Sequence, residues 1–154
     1  MTYTIHGPQH IDTTVKLPAS KSISNRALII SALAGVKTMP RNISNCDDTE
    51  VIVRALHDNP YEIDIKAAGT AMRFMTAYLA VTPGEHVITG TERMKHRPIK
   101  VLVDALRYLG ADIEYIGEEG FPPLKIRGKA LDGGSIEIPG DVSSQYVSAL
   151  LMIA

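Results

Sequence analysis

A single cysteine, Cys46, leaves this chain of 154 residues without a partner for an intramolecular disulfide, and that fits a reducing compartment. No apolar run approaches the roughly 20 residues needed to span a bilayer, and the opening MTYTIHGPQH lacks the basic-then-apolar pattern of a secretory leader. The expectation is a soluble, cytoplasmic protein with no membrane partner. Neither GxGxxG nor GxxxxGK[ST] occurs, so no dinucleotide fold or P-loop is supported. The histidines, His6, His10, His57, His86 and His96, form no pair at helical spacing, and with Cys46 alone no metal site is expected. A net charge of -1 lacks the positive excess of a dedicated nucleic-acid binder. Any anion binding must therefore be local, built from a few placed cations.

Ordinary globular composition, with 45% hydrophobic and 21% charged residues, remains, in a chain long enough to bury about two-thirds of its unfolded surface. Against that background the run LPASKSISNR, Leu17 to Arg26, stands out. It opens an apolar, helix-forming stretch, Ala27 to Ala34, with Lys21 and Arg26 at its head. A helix N-terminus already carries unpaired N–H groups and the positive end of the macrodipole, so first-turn cations oppose it. An anion to be bound there would explain them, with Ser20, Ser22 and Ser24 offering hydroxyls. The plainer reading is that Ser20 is only an N-cap and the two cations are solvated.

Part of the chain repeats. SNRALIISALAG followed by NISNCDDTEVIVRAL parallels AMRFMTAYLAVTPG followed by VITGTERMKHRPIKVLVDAL, aligning Arg26 with Arg73 and the helix Val51 to Leu56 with that from Val101 to Leu106. Each copy reads as a helix with a small-polar start, a short strand, a second amphipathic helix and closing strands: YEIDIKA in the first, ADIEYIG and PLKIRG in the second. A third copy begins with a strand over Ser135 to Ile138, a Pro-Gly-Asp turn and a helix starting at Ser143. That helix runs to LLMIA without a cap and would leave apolar surface bare, as expected of a fragment.

Three turns share a strand–small-residue–helix design: PASKS (18–22), AAGTAMR (67–73) and GDVSSQ (140–145). Gly69 permits close backbone approach to a ligand or simply makes the turn; Thr70 is a candidate cap. Ser143 and Ser144 suit a phosphate or an ordinary N-cap, and Gln145 adds an amide that donates and accepts. TERMKHRPIKVLVDAL gathers Arg93, Lys95, Arg97 and Lys100 before a helix with Pro98 in its first turn. No aromatic residue interleaves that patch for base stacking. Asp47 and Asp48 read as an N-cap with favourable dipole charge.

Taken together, LPASKSISNRALIISALAG, AAGTAMR, TERMKHRPIKVLVDAL and PGDVSSQYVSALLMIA closely resemble the 5-enolpyruvylshikimate-3-phosphate synthases along essentially the whole chain. The sister family acting on UDP-N-acetylglucosamine has a lysine-asparagine pair where Lys21-Ser22 stands here and a reactive loop cysteine; Gly90 to Pro98 contains none. That sister activity and a non-catalytic anion-binding module are the alternatives. The resemblance implies a mixed α and β (α+β) fold, the enolpyruvyl transferase α/β prism. It is made of repeated βαβαββ units, here two full units plus the start of a third. Residues 1–15 would form a strand belonging to a missing second domain, and 16–154 an incomplete N-terminal domain, inactive alone and prone to self-association. The complete enzyme, expected as a monomer, would move the enolpyruvyl group of phosphoenolpyruvate to the 5-hydroxyl of shikimate 3-phosphate without a cofactor.

The same resemblance assigns residues. Lys21 would touch both substrates and serve as the catalytic candidate. Ser22, Arg26, Ser143, Ser144 and Gln145 would bind shikimate 3-phosphate, and Gly69, Arg97 and again Gln145 would bind phosphoenolpyruvate. Arg73 would be a supporting residue. The family usually has asparagine where Ala67 stands, which bears on phosphoenolpyruvate affinity and on sensitivity to its analogue glyphosate.

Overall fold

The structure is a computed structural model that describes residues 2–36 and 38–154. Residues 2–20 carry no helix or strand and are exposed, apart from a half-buried Ala19. The elements then run α1 (Lys21–Leu33), α2 (Asp47–Asp58), β1 (Glu62–Asp64), α3 (Gly69–Val81) and β2 (Gly84–Thr89). They continue with α4 (Glu92–Lys95), α5 (Lys100–Tyr108), β3 (Asp112–Tyr115), β4 (Leu124–Gly128) and α6 (Ser144–Ile153). The class is α+β, as expected.

The central element is α3. Its sequence is apolar on every side, and within it only Tyr78 and Val81 are not buried, as befits a helix surrounded by protein. The four strands lie in the order β1-β2-β4-β3; β1 pairs parallel with β2, and the other pairs are antiparallel. Strand side chains alternate between faces. Ile63, Ile88, Ile113, Leu124 and Ile126 are buried and join the core cluster with α3. Gly128 is dictated by this packing, because a Cβ there would collide with the Leu79 and Thr82 carbonyls at the end of α3. The opposite sheet face carries a charged lattice in which Arg127 binds Glu85 (3.0 Å), Glu114 (2.9 Å) and Asp112 (3.2 Å).

Side-chain contacts fix the helix directions. Arg26, in the second turn of α1, lies over the Phe74 ring in the second turn of α3 (5.1 Å) and donates to Ser148 Oγ in the second turn of α6 (2.9 Å). Lys21 pairs with Asp48, and Thr49 Oγ1 donates to Asn25 Oδ1 (2.7 Å), joining the starts of α1 and α2. At the other end, Ala32, Leu56 and Tyr78 line one cavity, while Val81, Leu109 and Ile153 line another. Helices α1, α2, α3, α5 and α6 therefore run side by side with their N-termini at one end of the molecule.

Several sequence expectations are corrected. Among the described residues no strand forms between α1 and α2; there Ser44 N donates instead to Ser24 Oγ (2.8 Å), so a side chain docks the segment. Ser135–Ile138 is not a strand either. Among the described residues it pairs with no strand, and Ile136 and Ile138 line a cavity with Val101 and Ala105 of α5. The N-cap of α2 is Cys46; Asp47 and Asp48 sit inside the first turn, adding dipole charge but no cap. Pro98 lies before Ile99, the N-cap of α5, and so outside that helix. In LLMIA Leu151, at 71%, and Ala154 are exposed, while Leu150, Met152 and Ile153 pack partly against the core. No helix among the described residues is long and apolar enough to cross a membrane.

Candidate functional site

Five helix N-termini meet at one end, each worth about half a positive charge; that of α2 is met by Asp47, Asp48 and Glu50 in its first turn, whereas α1, α3, α5 and α6 have no acidic residue in theirs. The chain adds cations to that end. Arg26, Arg73, Arg93 and Arg97 have no carboxylate within ion-pair distance among the described residues, whereas Arg127 on the far sheet face has three. A guanidinium without a carboxylate at a positive helix end is poised for an external anion.

Ser20 is the N-cap of α1, its Oγ accepting from Ile23 N at 3.4 Å. Ser24 is buried and fully committed, donating to the Ser20 carbonyl (2.8 Å) and accepting from Ser44 N. Of the three hydroxyls expected to face an anion, only that of exposed Ser22 has no such task. Lys21 is half-exposed and holds Asp48 at 3.2 Å. An exposed pair of this kind contributes about 0–1 kcal/mol, so the ammonium is readily released to another anion. Arg26 crosses from the Ser22 carbonyl (3.1 Å) to Ser148 on α6, which places one guanidinium between two helix starts.

At α3 the N-cap is Ala68. Thr70 caps nothing; its Oγ1 accepts from Gln145 Nε2 (3.1 Å), tying α3 to α6. Gly69 is buried, and a Cβ on it would lie 2.5 Å from Arg97 Nη1 and 2.9 Å from Arg73 Nη1. Two guanidinium groups thus press on the first turn of α3, in space that only glycine leaves open. Arg73 is 7% exposed, donates from Nη1 to the Gly69 carbonyl (2.7 Å) and stacks over the Tyr146 ring (5.5 Å). Its Nε has no partner, a costly state for a buried charged group. Beside it Ala67, Arg93, Met94 and Arg97 line a cavity of about 170 Å³.

On α6, Ser143 is the N-cap, with Oγ accepting from Gln145 N (3.3 Å), and Ser144 opens the helix with its side chain exposed. The structure therefore gathers Gly69, Arg97 and, through Thr70, Gln145 into one patch. It brings Arg26 onto the α6 helix and sets Lys21 on Asp48. Sequence reading missed Ser148, Thr70 as an acceptor, and Tyr146, whose hydroxyl donates to the Pro98 carbonyl (2.8 Å). Ser148 lies one turn beyond Ser144, so helical spacing from that residue would have found it.

Cys46 is half-buried beside this end. Burial pushes its thiol up, but hydrogen bonds with Ser44 and Thr49 outweigh burial and leave it below its ordinary range.

Comparison with known proteins places the chain in a family. The family model described as EPSP synthase (3-phosphoshikimate 1-carboxyvinyltransferase) matches residues 5–59 and 54–154. The 3-phosphoshikimate 1-carboxyvinyltransferase of Bacteroides fragilis (strain ATCC 25285) is 61% identical over 153 residues, which cover 99% of this chain and 37% of that protein. The enzyme of that name from Mannheimia succiniciproducens is 42% identical over 176 residues, covering 94% of this chain and 41% of its own. A solved EPSP synthase from Acinetobacter baumannii superposes with a TM-score of 0.76 at 22% identity, over 90% of this chain and 37% of that one, a likeness of fold. The chain thus spans about 37–41% of the length of these curated relatives, and it belongs to the EPSP synthase family.

Proposed function

We propose that the complete protein containing this chain transfers the enolpyruvyl group of phosphoenolpyruvate to the 5-hydroxyl of shikimate 3-phosphate and releases phosphate, in the cytoplasm. The observation that carries this reading is the end of the molecule where α1, α3 and α6 begin and where Arg26, Arg73 and Arg97 stand without carboxylate partners. Both substrates are polyanions, so helix N-termini and unpaired guanidiniums are the groups that would hold them.

In this reading Ser22, Arg26, Ser143, Ser144 and Gln145 hold shikimate 3-phosphate. The phosphate would accept N–H groups from the α6 start and hydroxyl hydrogen bonds from the serines, with Arg26 supplying charge from the α1 side. Gly69, Arg97 and Gln145 take phosphoenolpyruvate, the Arg97 fork reaching a carboxylate or phosphate over the open space above Gly69. Lys21, once it leaves Asp48, lies between the two ligands and stabilises charge or moves a proton as the 5-hydroxyl adds to the enolpyruvyl carbon. Addition and elimination need positioned acid and base groups besides Lys21, and a second domain would supply them together with the other wall of the cleft. Residues 1–15, of which 2–15 are exposed and without helix or strand here, are proposed to add a strand to that domain. Ala67 leaves the 170 Å³ cavity without an asparagine side chain at its wall.

The test is a coupled phosphate-release assay of the complete protein. Release that requires both substrates supports the assignment; no release with both substrates saturating, from protein shown to be folded, overturns it.

A further inference from the structure

We propose that Tyr146 is a positioning residue for Arg97, acting through the Pro98 carbonyl. The proposal rests on the reading of Arg97 as a phosphoenolpyruvate ligand given above. Arg97 sits in the connection between α4 and α5. Its own N–H donates to the Met94 carbonyl (2.9 Å), Ile99 N donates to the Gly120 carbonyl (2.9 Å), and Pro98 has no N–H to give. Pro98 is itself exposed. The Pro98–Ile99 peptide is thus held on both sides, its N–H on the Gly120 carbonyl and its own carbonyl by two donors from the interior. Tyr146 OH reaches it at 2.8 Å, and Arg73 Nη2 lies at 3.5 Å.

The two donors support one another. Tyr146 is 6% exposed, so its hydroxyl must find an acceptor within the protein, and the Pro98 carbonyl is the one it has. Its ring is the platform on which the Arg73 guanidinium stacks at 5.5 Å. Arg73 in turn holds the Gly69 carbonyl at 2.7 Å. Ring, guanidinium and carbonyl thus form a floor beneath Arg97, and the phenol hydroxyl is its contact with that connection. Losing that hydroxyl leaves the ring and stack in place but leaves the carbonyl with only the longer Arg73 contact at 3.5 Å. An anion-binding fork displaced by about 1 Å loses much of its effect, so the cost falls on the anion that Arg97 holds and not on the one at the α6 start.

The experiment is Tyr146→Phe in the complete protein, alone and combined with Arg97→Ala. The expected result is a KM for phosphoenolpyruvate raised about fivefold, a KM for shikimate 3-phosphate within about twofold of the parent, and a closely similar melting temperature. Amide hydrogen exchange at Arg97 and Ile99 should quicken about tenfold without any substrate present. In the Arg97→Ala background, removing the hydroxyl should change neither KM further. Unchanged exchange at these two amides overturns the proposal, as does a hydroxyl effect of equal size with and without Arg97. Should Arg97→Ala alone leave phosphoenolpyruvate KM untouched, the ligand reading of Arg97 fails; quickened exchange would still support Tyr146 as the anchor of this connection.

Discussion

Replacing Gly69 with alanine separates what this residue does for the fold from what it does for the site. In the fold the change has two opposed effects. Alanine is favoured over glycine by about 1 kcal/mol in a helix interior and by less at the first helical position, which Gly69 holds; the Gly69 backbone does not have a positive φ, so no strain offsets the gain. Against this, the new methyl would stand 2.9 Å from Arg73 Nη1, a buried group held on the Gly69 carbonyl and the Tyr146 ring. Easing that contact by a few tenths of an ångström costs about 1 kcal/mol, the low end for overpacking. The two nearly cancel, and the melting temperature should move by no more than about 5 °C. The site fares differently. Arg97 Nη1 would lie 2.5 Å from the methyl and must leave; its side chain is exposed, so leaving costs the fold little. An anion that depended on this fork loses a charge-assisted contact worth about 2 kcal/mol, or roughly thirtyfold in affinity. Steady-state kinetics of the complete protein should show a KM for phosphoenolpyruvate raised at least tenfold and a KM for shikimate 3-phosphate within about twofold. A phosphoenolpyruvate KM at the parental value would refute the reasoning. So would a rise in both constants accompanied by a melting temperature lowered by more than about 10 °C.

Lys21→Ala in the complete protein should lower kcat by about 30- to 1,000-fold, the equivalent of a lost transition-state contact of 2–4 kcal/mol. Its exposed pair with Asp48 contributes little, so thermal melts should barely change; a rate within about threefold of the parent would remove Lys21 from the chemistry. Ser144→Ala, which spares the N-cap at Ser143, should weaken calorimetric binding of shikimate 3-phosphate by about 1–2 kcal/mol, and unchanged affinity would leave the serine pair as a helix cap only. On the outer sheet face, hydrogen bonds from Lys125 and Arg127 hold Glu85, and one from Arg127 holds Glu114, below their ordinary value of 4.5. Carboxyls lowered on folding add stability above that value and lose it as pH falls through their folded values. Melting temperature should therefore decline below about pH 4.5, and less steeply in the Glu85→Gln, Glu114→Gln double variant; parallel acid profiles would refute this.

Patterns complete within one helix were legible in the sequence. The small-polar starts at Ser20 and Ser143, the position of Arg73 one turn into α3 and the amphipathic α2 and α5 follow from 3.6-residue spacing and capping chemistry, and each is where it was expected. Misread features depended on a partner distant in the chain. Thr70 resembles a cap until Gln145 takes its hydroxyl, and Ser24 resembles an anion donor until Ser44 docks on it. The apolar alternation at Ser135–Ile138 resembles a strand, but a strand needs a neighbouring edge, and here the segment rests on α5. The charge run from Arg93 to Lys100 shows the same division. Sequence alone could not tell that Lys95 and Lys100 are spent on Glu92, Asp104 and Glu119 while Arg93 and Arg97 stay unpaired beside Ala67.

That division says how the site end can be so positive without undermining the fold. Its cations are kept apart by different means: Arg93 and Arg97 stay in solvent, where their repulsion is screened. Arg26 lies across the Phe74 ring with two oxygen acceptors. Only Arg73 is buried, and its charge is met by a carbonyl and a ring face while Nε has no partner. None of these devices neutralises a charge; each makes an unneutralised one tolerable. An acidic residue in their place would have stabilised the empty protein and competed with every anionic ligand. Among the described residues, the one acidic side chain in ion-pair contact with a proposed ligand residue, Asp48 on Lys21, is at the exposed edge where a pair is weakest and exchange easiest. The unneutralised charge is thus concentrated at the helix starts, where an arriving polyanion meets it fully available.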